Sequence, residues 1–186
     1  MIGMQSKENI SRIWTIGHST RGIDIFISLL KENEIKLLAD VRSWPGSKRY
    51  PQFNKETLTK SLGAARIRYE HFPELGGKRK PKHDSRNTAW RNASFRGYAD
   101  HMETEEFHKG IERLVDVARE AGLTAIMCAE AVWWRCHRSL VADYVKARGI
   151  EVMHILGANK IEPHPYTSAS RIVHGKLSYR SEKVGV

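Results

Sequence analysis

Residues 124–140 read TAIMCAEAVWWRCHRSL, and how this stretch is parsed decides the architecture. The first five residues are a short apolar run closed by polar ones, which suits a strand buried on both faces. The last five open a second pattern over residues 136–148, where Leu140, Val141, Tyr144 and Val145 recur at helical spacing before Gly149. The loop between them is neither core nor plain surface. A core wants aliphatic residues, and a solvated surface does not set paired tryptophans beside cysteines, so the loop reads as part of a site.

The same alternation runs through the chain. Residues 13–16 (IWTI), 36–41 (KLLADV) and 151–155 (EVMHI) read as further buried strands, with 66–72 (RIRYEHF) as a weaker fifth. Residues 23–33 place Ile23, Phe26, Ile27, Leu29 and Leu30 on one helical face. Residues 105–121 do the same with Ile111, Leu114, Val115 and Ala118, and Gly122 stops them. Strands alternating with helices predict an α/β fold with a largely parallel sheet flanked by helices. At 186 residues the chain fits one domain spanning 1–186. Two segments break the rhythm. Residues 78–96 hold seven Lys or Arg against one acid and read as a long basic loop, and the tail from about 157 to 186 reads as irregular.

With 31 Lys plus Arg against 21 Asp plus Glu, the net charge is +10. Such a field attracts polyanions, which makes nucleic acid the expected partner class. The N-terminus carries no apolar run of signal-peptide length and no window has the makings of a membrane span, so a cytoplasmic location is expected, with no membrane partner. Cys128 and Cys136 are then expected as thiols rather than a disulfide. The sequence leaves the oligomeric state open.

In open parallel sheets ligands bind outside the carboxyl ends of the strands. Reading just past each expected strand gathers His18, Ser19, Asp40, Arg42, Cys128, Glu130, His137 and Arg138 toward one edge. Asp40 and Glu130 form a carboxylate pair. Glycosidic cleavage needs one carboxylate to steady an oxocarbenium-like centre or activate water, and a proton donor for the leaving group. The structural alternatives are that Asp40 pairs with Arg42, Arg138 or a helix N-terminus, and that Glu130 caps the helix starting near Trp133. Close CxxC or HxxxH spacing is missing, so no metal and no cofactor are expected. A thiol near His137 and Arg138 could still be a nucleophile, or a small buried hydrophobe. Trp44, Trp90, Trp133 and Trp134 stand beside arginines or in expected loops, where indole faces could stack an exposed base or merely seal the domain.

In chain order, TIGHST, DVRSWPGSKRYPQFN, YEHFPELGG, FRGYADHM, MCAE with CHR, and HPYTSASRIVHGKLSY resemble the domain of unknown function 488 family. The likeness covers nearly the whole chain, and the AVWWR spacer is bulkier than the pattern leads one to expect. The resemblance implies a Rossmann-like α/β domain whose motifs line one cleft, and an association with removal of N6-methyladenine from DNA. The expectation is therefore a DNA glycosylase that flips a modified purine, N6-methyladenine foremost, out of the stack. In that reading Asp40 acts at the sugar and Glu130 contacts the base or positions water. Arg42, His137 and Arg138 bind phosphate or assist the leaving group; His18, Ser19 and Cys128 line the pocket. Trp44, Trp133 or Trp134 sandwich the base, and Lys78, Arg79, Lys80, Lys82, Arg86 and Arg91 meet the DNA backbone. A non-catalytic nucleic-acid-binding module, and a thiol- or metal-dependent enzyme acting on a small anion, are the alternatives.

Overall fold

The computed structural model describes residues 10–181. In chain order its elements are β1 (Arg12–Gly17), α1 (Ile23–Glu32), β2 (Leu37–Asp40), α2 (Lys55–Ala64), β3 (Arg68–His71), α3 (Ala93–His101), α4 (Glu105–Ala121), β4 (Thr124–Cys128) and α5 (Arg138–Ala147). The chain closes with β5 (Glu151–Gly157), β6 (Lys160–Pro163), and a hairpin of β7 (Arg171–Val173) and β8 (Lys176–Ser178). The N-terminal segment considered above for a leader lies mostly outside the described residues, as do the last five residues of the tail.

Strand periodicity sorts the core into two layers, because successive side chains point to opposite faces of a sheet. Trp14 and Ile16 of β1, Leu38 of β2, and Ala125 and Met127 of β4 meet Phe26, Leu29 and Leu30 of α1 and Leu58 and Leu62 of α2. Their neighbours Ile13, Ala39, Ile126 and Cys128 meet α3, α4 and α5 on the other face. The sheet order is β3-β2-β4-β1-β5-β6, with the first five strands parallel and β6 antiparallel to β5. The fold is thus α/β and Rossmann-like, with helices on both faces.

This order creates the crevice. β1 and β4 are neighbours, yet the chain leaves β1 for α1 on one face and leaves β4 for α5 on the other. Loops that diverge in this way open a gap at the carboxyl edge.

The structure departs from the sequence expectations in two places. The basic loop ends at Asn92, not residue 96, because the Asn92 side chain caps α3 by accepting from the backbone N–H groups of Ser94 (2.9 Å) and Phe95 (3.2 Å). The tail is not irregular throughout: β6 adds an edge strand, and β7 and β8 form a hairpin.

The tail is tied down by a buried polar chain. Asp143 of α5 accepts from His164 Nε2 (2.9 Å), from the Thr167 backbone N–H (2.9 Å) and hydroxyl (2.5 Å), and from the Tyr179 hydroxyl (2.7 Å). That leaves His164 Nδ1 as an acceptor for His154 Nε2 (2.8 Å), and His154 Nδ1 as an acceptor for the Thr15 hydroxyl (2.6 Å). Every member finds a partner in this arrangement, and in it His154 is neutral. Burial first, then His164 and Arg138 beside it, push His154 down to about 3.

The unfolded chain takes up this proton near pH 6.5 and the folded chain only near 3, so acidification between those values favours unfolding. The slope is about 1.4 kcal/mol per pH unit for one such group. Between pH 7 and pH 5, urea unfolding of the wild type is expected to lose about 2 kcal/mol more than that of His154→Gln, which is weaker at both pH values but flatter. Equal losses would show that another group sets the acid limit.

Candidate functional site

The crevice predicted at the strand ends is present as a cleft of about 410 Å³. Its walls come from the loop after β1 (His18, Ser19, Thr20), the segment after β2 (Arg42, Trp44, Gly46, Ser47, Tyr50) and the loop after β4 (Ala129, Glu130, Ala131). The β1 and β4 loops are held together by backbone hydrogen bonds from His18 N–H to Cys128 O and from Ser19 N–H to Ala129 O, both 2.9 Å. Gly17 makes this approach possible. A Cβ there would stand 1.8 Å from the Glu130 carbonyl oxygen. Ser19, at the lip, adopts a left-handed backbone conformation (φ 52°), which a non-glycine residue holds only when its surroundings impose it.

The floor is a buried ion pair. Asp40, the last residue of β2, is fully buried, and Arg42 is 7% exposed. Asp40 Oδ1 accepts from the Arg42 backbone N–H (3.0 Å) and Nε (2.9 Å), while Oδ2 accepts from Arg42 Nη2 (2.6 Å) and the Tyr69 hydroxyl (2.7 Å). Arg42 Nη2 also donates to Phe53 O (2.8 Å), and Nη1 meets His18 Nε2 at 3.4 Å. His18 stacks on Phe53 at 4.2 Å and its Nδ1 donates to Ser19 O (2.9 Å). The Nδ1–H tautomer leaves Nε2 as an acceptor toward Arg42.

These contacts tune the groups. Burial alone would lower the Arg42 pKa, but hydrogen bonding to Asp40 and its charge outweigh burial and raise it. Burial and then the Asp40 charge raise the Tyr69 hydroxyl, and burial lowers His18. The guanidinium is therefore permanently charged and fixed in direction, beside a neutral imidazole.

The expected site residues divide into several groups. His18, Ser19, Arg42, Trp44 and Glu130 share the cleft, where Glu130 is exposed and Trp44 is 81% exposed. Asp40 lies beneath it and works through Arg42, the pairing considered above as its structural alternative. Cys128 and His137 belong to the opposite layer, where Cys128 Sγ and Cys136 Sγ lie 3.9 and 3.7 Å from His137 Nδ1. His137 Nε2 donates to Val41 O (3.0 Å), so its Nδ1 faces the sulfurs as a lone pair, and these three residues could hold a metal ion.

Arg138 and Trp133 do not face the cleft. Arg138 is 1% exposed and donates to Glu130 O (2.6 Å) and Ala131 O (3.1 Å), so it holds the loop rather than a phosphate. Trp133 stacks on His154 at 4.6 Å, and half-exposed Trp134 meets its edge. Glu130 does not cap α5, whose N-cap is His137.

Tyr50, Phe53 and Tyr69 are the site residues that sequence reading passed over. A signal existed for Tyr69: it stands two residues before His71, the β3 partner of Asp40, and so shares a sheet face with it. The basic loop begins beside the cleft, where the Ser43 hydroxyl donates to Gly77 O (3.1 Å). Asp100 orders it by accepting from Lys82 N–H (2.8 Å), the Ser85 hydroxyl (2.6 Å) and Asn87 Nδ2 (2.9 Å). Lys78, Lys80, Lys82, Arg86 and Arg91 are exposed and take no part in the ion pairs among the described residues; Arg79 pairs with Glu106 at 3.2 Å.

An open α/β sheet with its polar residues collected at one switch point defines the class. Residues 22–145, two thirds of the chain, match the family described as Domain of unknown function DUF488, and the chain belongs to that family. No curated protein and no solved structure matches it. Among the described residues, no helix is long and apolar enough to cross a membrane.

Removing the floor should be costly. Asp40→Ala leaves the Arg42 guanidinium buried without its partner, and chemical denaturation is expected to show a loss of about 3–5 kcal/mol. A loss below about 1 kcal/mol would mean that Arg42 relaxes into solvent and that the pair does not organise the cleft.

Proposed function

We propose that this protein is a DNA N-glycosylase that accepts a flipped, modified purine in the cleft between the β1 and β4 loops and hydrolyses its N-glycosidic bond. The observation that carries this reading is the placement of one exposed carboxylate, Glu130, in the same cleft as the fixed Arg42 guanidinium and the exposed Trp44 indole. A cleft of about 410 Å³ falls within the roughly 300–1,000 Å³ usual for small-molecule pockets. That is room for a base taken out of the stack, whose unstacking costs a few kcal/mol that aromatic stacking and phosphate contacts can offset.

The residues divide the work as follows. Glu130 acts at the sugar, steadying the developing oxocarbenium or activating water. Arg42 Nη1, whose other edge is committed to Asp40, meets an anionic or electron-rich part of the substrate. Asp40 is a positioning residue that holds Arg42 in place. Trp44 and Tyr50 offer aromatic faces to the base, and Ser19 and Ser47 offer hydroxyls to its edge. Lys78, Lys80, Lys82, Arg86 and Arg91 bind the DNA backbone beside the cleft. N6-methyladenine is the base that the family resemblance favours.

Duplex and single-stranded oligonucleotides carrying a panel of modified bases provide the test, with mass spectrometry reading free base and abasic sites. Release of one modified base is expected. Glu130→Gln should slow it by about 10²–10⁴-fold, with an unchanged melting temperature because the side chain is exposed. Base release that survives Glu130→Gln would refute this assignment of the carboxylate.

Salt dependence tests the loop separately. Replacing Lys80, Lys82 and Arg86 with Ala should flatten the plot of log affinity against log salt by about one for each phosphate that is no longer neutralised. Salt-sensitive binding with no release of any base would leave the protein a binding module without catalysis.

A further inference from the structure

The sulfur-rich side of β4 takes no part in the glycosylase reading. From it we infer a second site: Cys128, Cys136 and His137 form a three-ligand centre for a soft divalent cation, zinc by preference.

The geometry carries this site. Zinc bonds thiolate sulfur at about 2.3 Å and imidazole nitrogen at about 2.0–2.1 Å, so tetrahedral angles place sulfur and nitrogen about 3.6 Å apart. The two sulfur-to-nitrogen distances here are 3.7 and 3.9 Å, and all three ligand atoms lie within 4.8 Å of one another. Such convergence from separate elements is hard to assign to packing alone. Cys128 ends β4, whereas Cys136 and His137 stand at the start of α5.

The imidazole is already prepared for a ligand. Its Nε2 donates to Val41 O at 3.0 Å, which fixes the Nδ1 lone pair toward the sulfurs. Metal-bound histidines are held in this way, with the second nitrogen donating to a carbonyl or carboxylate. Around the centre, the Tyr98 ring stands 4.9 Å from the His137 ring, and Gly77 lies so close that a Cβ there would be 2.8 Å from His137 Nδ1. Two thiolates would offset the charge of the ion in this enclosed space. Three protein ligands leave the fourth tetrahedral position to water or to a further ligand, the arrangement of zinc sites with an open position.

The ion would join the end of β4 to the start of α5 and, through His137, to Val41 at the end of β2. These are the elements that carry Glu130 and Arg42. The site stands independently of the glycosylase reading, and its test makes no use of that activity.

Cobalt(II), which reports thiolate ligation through a charge-transfer absorption band, is added to reduced, metal-free protein. The expected result is one cobalt per chain with that band, displaced by one equivalent of zinc, and a higher melting temperature with zinc bound. Cys128→Ser and Cys136→Ser should each lose the band and bind zinc about 100-fold more weakly or worse. If either variant fails to fold, the wild-type spectrum still decides the matter. Binding without a thiolate band would assign the ion to surface histidines and overturn the site. So would the absence of binding, or a pair that only oxidises to a disulfide.

Discussion

The buried pair of Asp40 and Arg42 is the constraint around which this protein is arranged. A charge carried below the surface of a protein is tolerated only when its hydrogen-bonding capacity is met. Asp40 has four donors, three of them from Arg42 and one from Tyr69. Arg42 in turn reaches the carbonyl of Phe53 and the ring of His18. Four segments distant in sequence are therefore fixed by one carboxylate at the end of β2. The cleft above inherits its rigidity from them, since its cation cannot turn away without breaking the pair below.

The same sheet edge carries two different chemistries because β4 ends between two layers. Cys128 points into the layer of α3, α4 and α5, while Ala129 and Glu130 follow into the cleft. Arg138 closes this boundary from behind by donating to the carbonyls of Glu130 and Ala131. The backbone around Glu130 is thus held by Arg138 on one side and by close approach to Gly17 on the other, which leaves its side chain free to meet a ligand. Preorganisation of this kind avoids the ordering cost that a mobile loop would incur on binding.

Much of this could be read in the sequence. The five parallel strands were legible because buried strands are short apolar runs, and α1, α4 and α5 because their apolar residues recur at helical spacing. α2 was not, since KETLTKSLGA has only Leu58 and Leu62 to bury. β6 was not either, for all four of its residues are exposed and no alternation marks it. Strand ends pointed to the cleft, and five of the expected residues line it. The remainder depends on pairings that no local pattern encodes. Asp40 met its partner two residues on, which removed it from the cleft, whereas Cys128 and Cys136 met across a loop whose eight-residue offset resembles no ligand spacing. Asp143, His154 and His164 were invisible for the same reason: their hydrogen bonds span sequence separations of 10 and 21 residues.

That last network bears on how the chain is made. Asp143 sits fully buried in α5, and two of its four donors come from Thr167, with others from His164 and Tyr179, the farthest 36 residues downstream. During synthesis from the N-terminus, α5 leaves the ribosome before any of them. Until they arrive, docking α5 on the sheet would bury an unpartnered carboxylate, at a cost of several kcal/mol. The layer of α3, α4 and α5 therefore gains its full stability only after Thr167 and Tyr179 have been made, and the tail as far as Ser181, though it contributes no residue to the cleft, works as the latch that holds α5 in place.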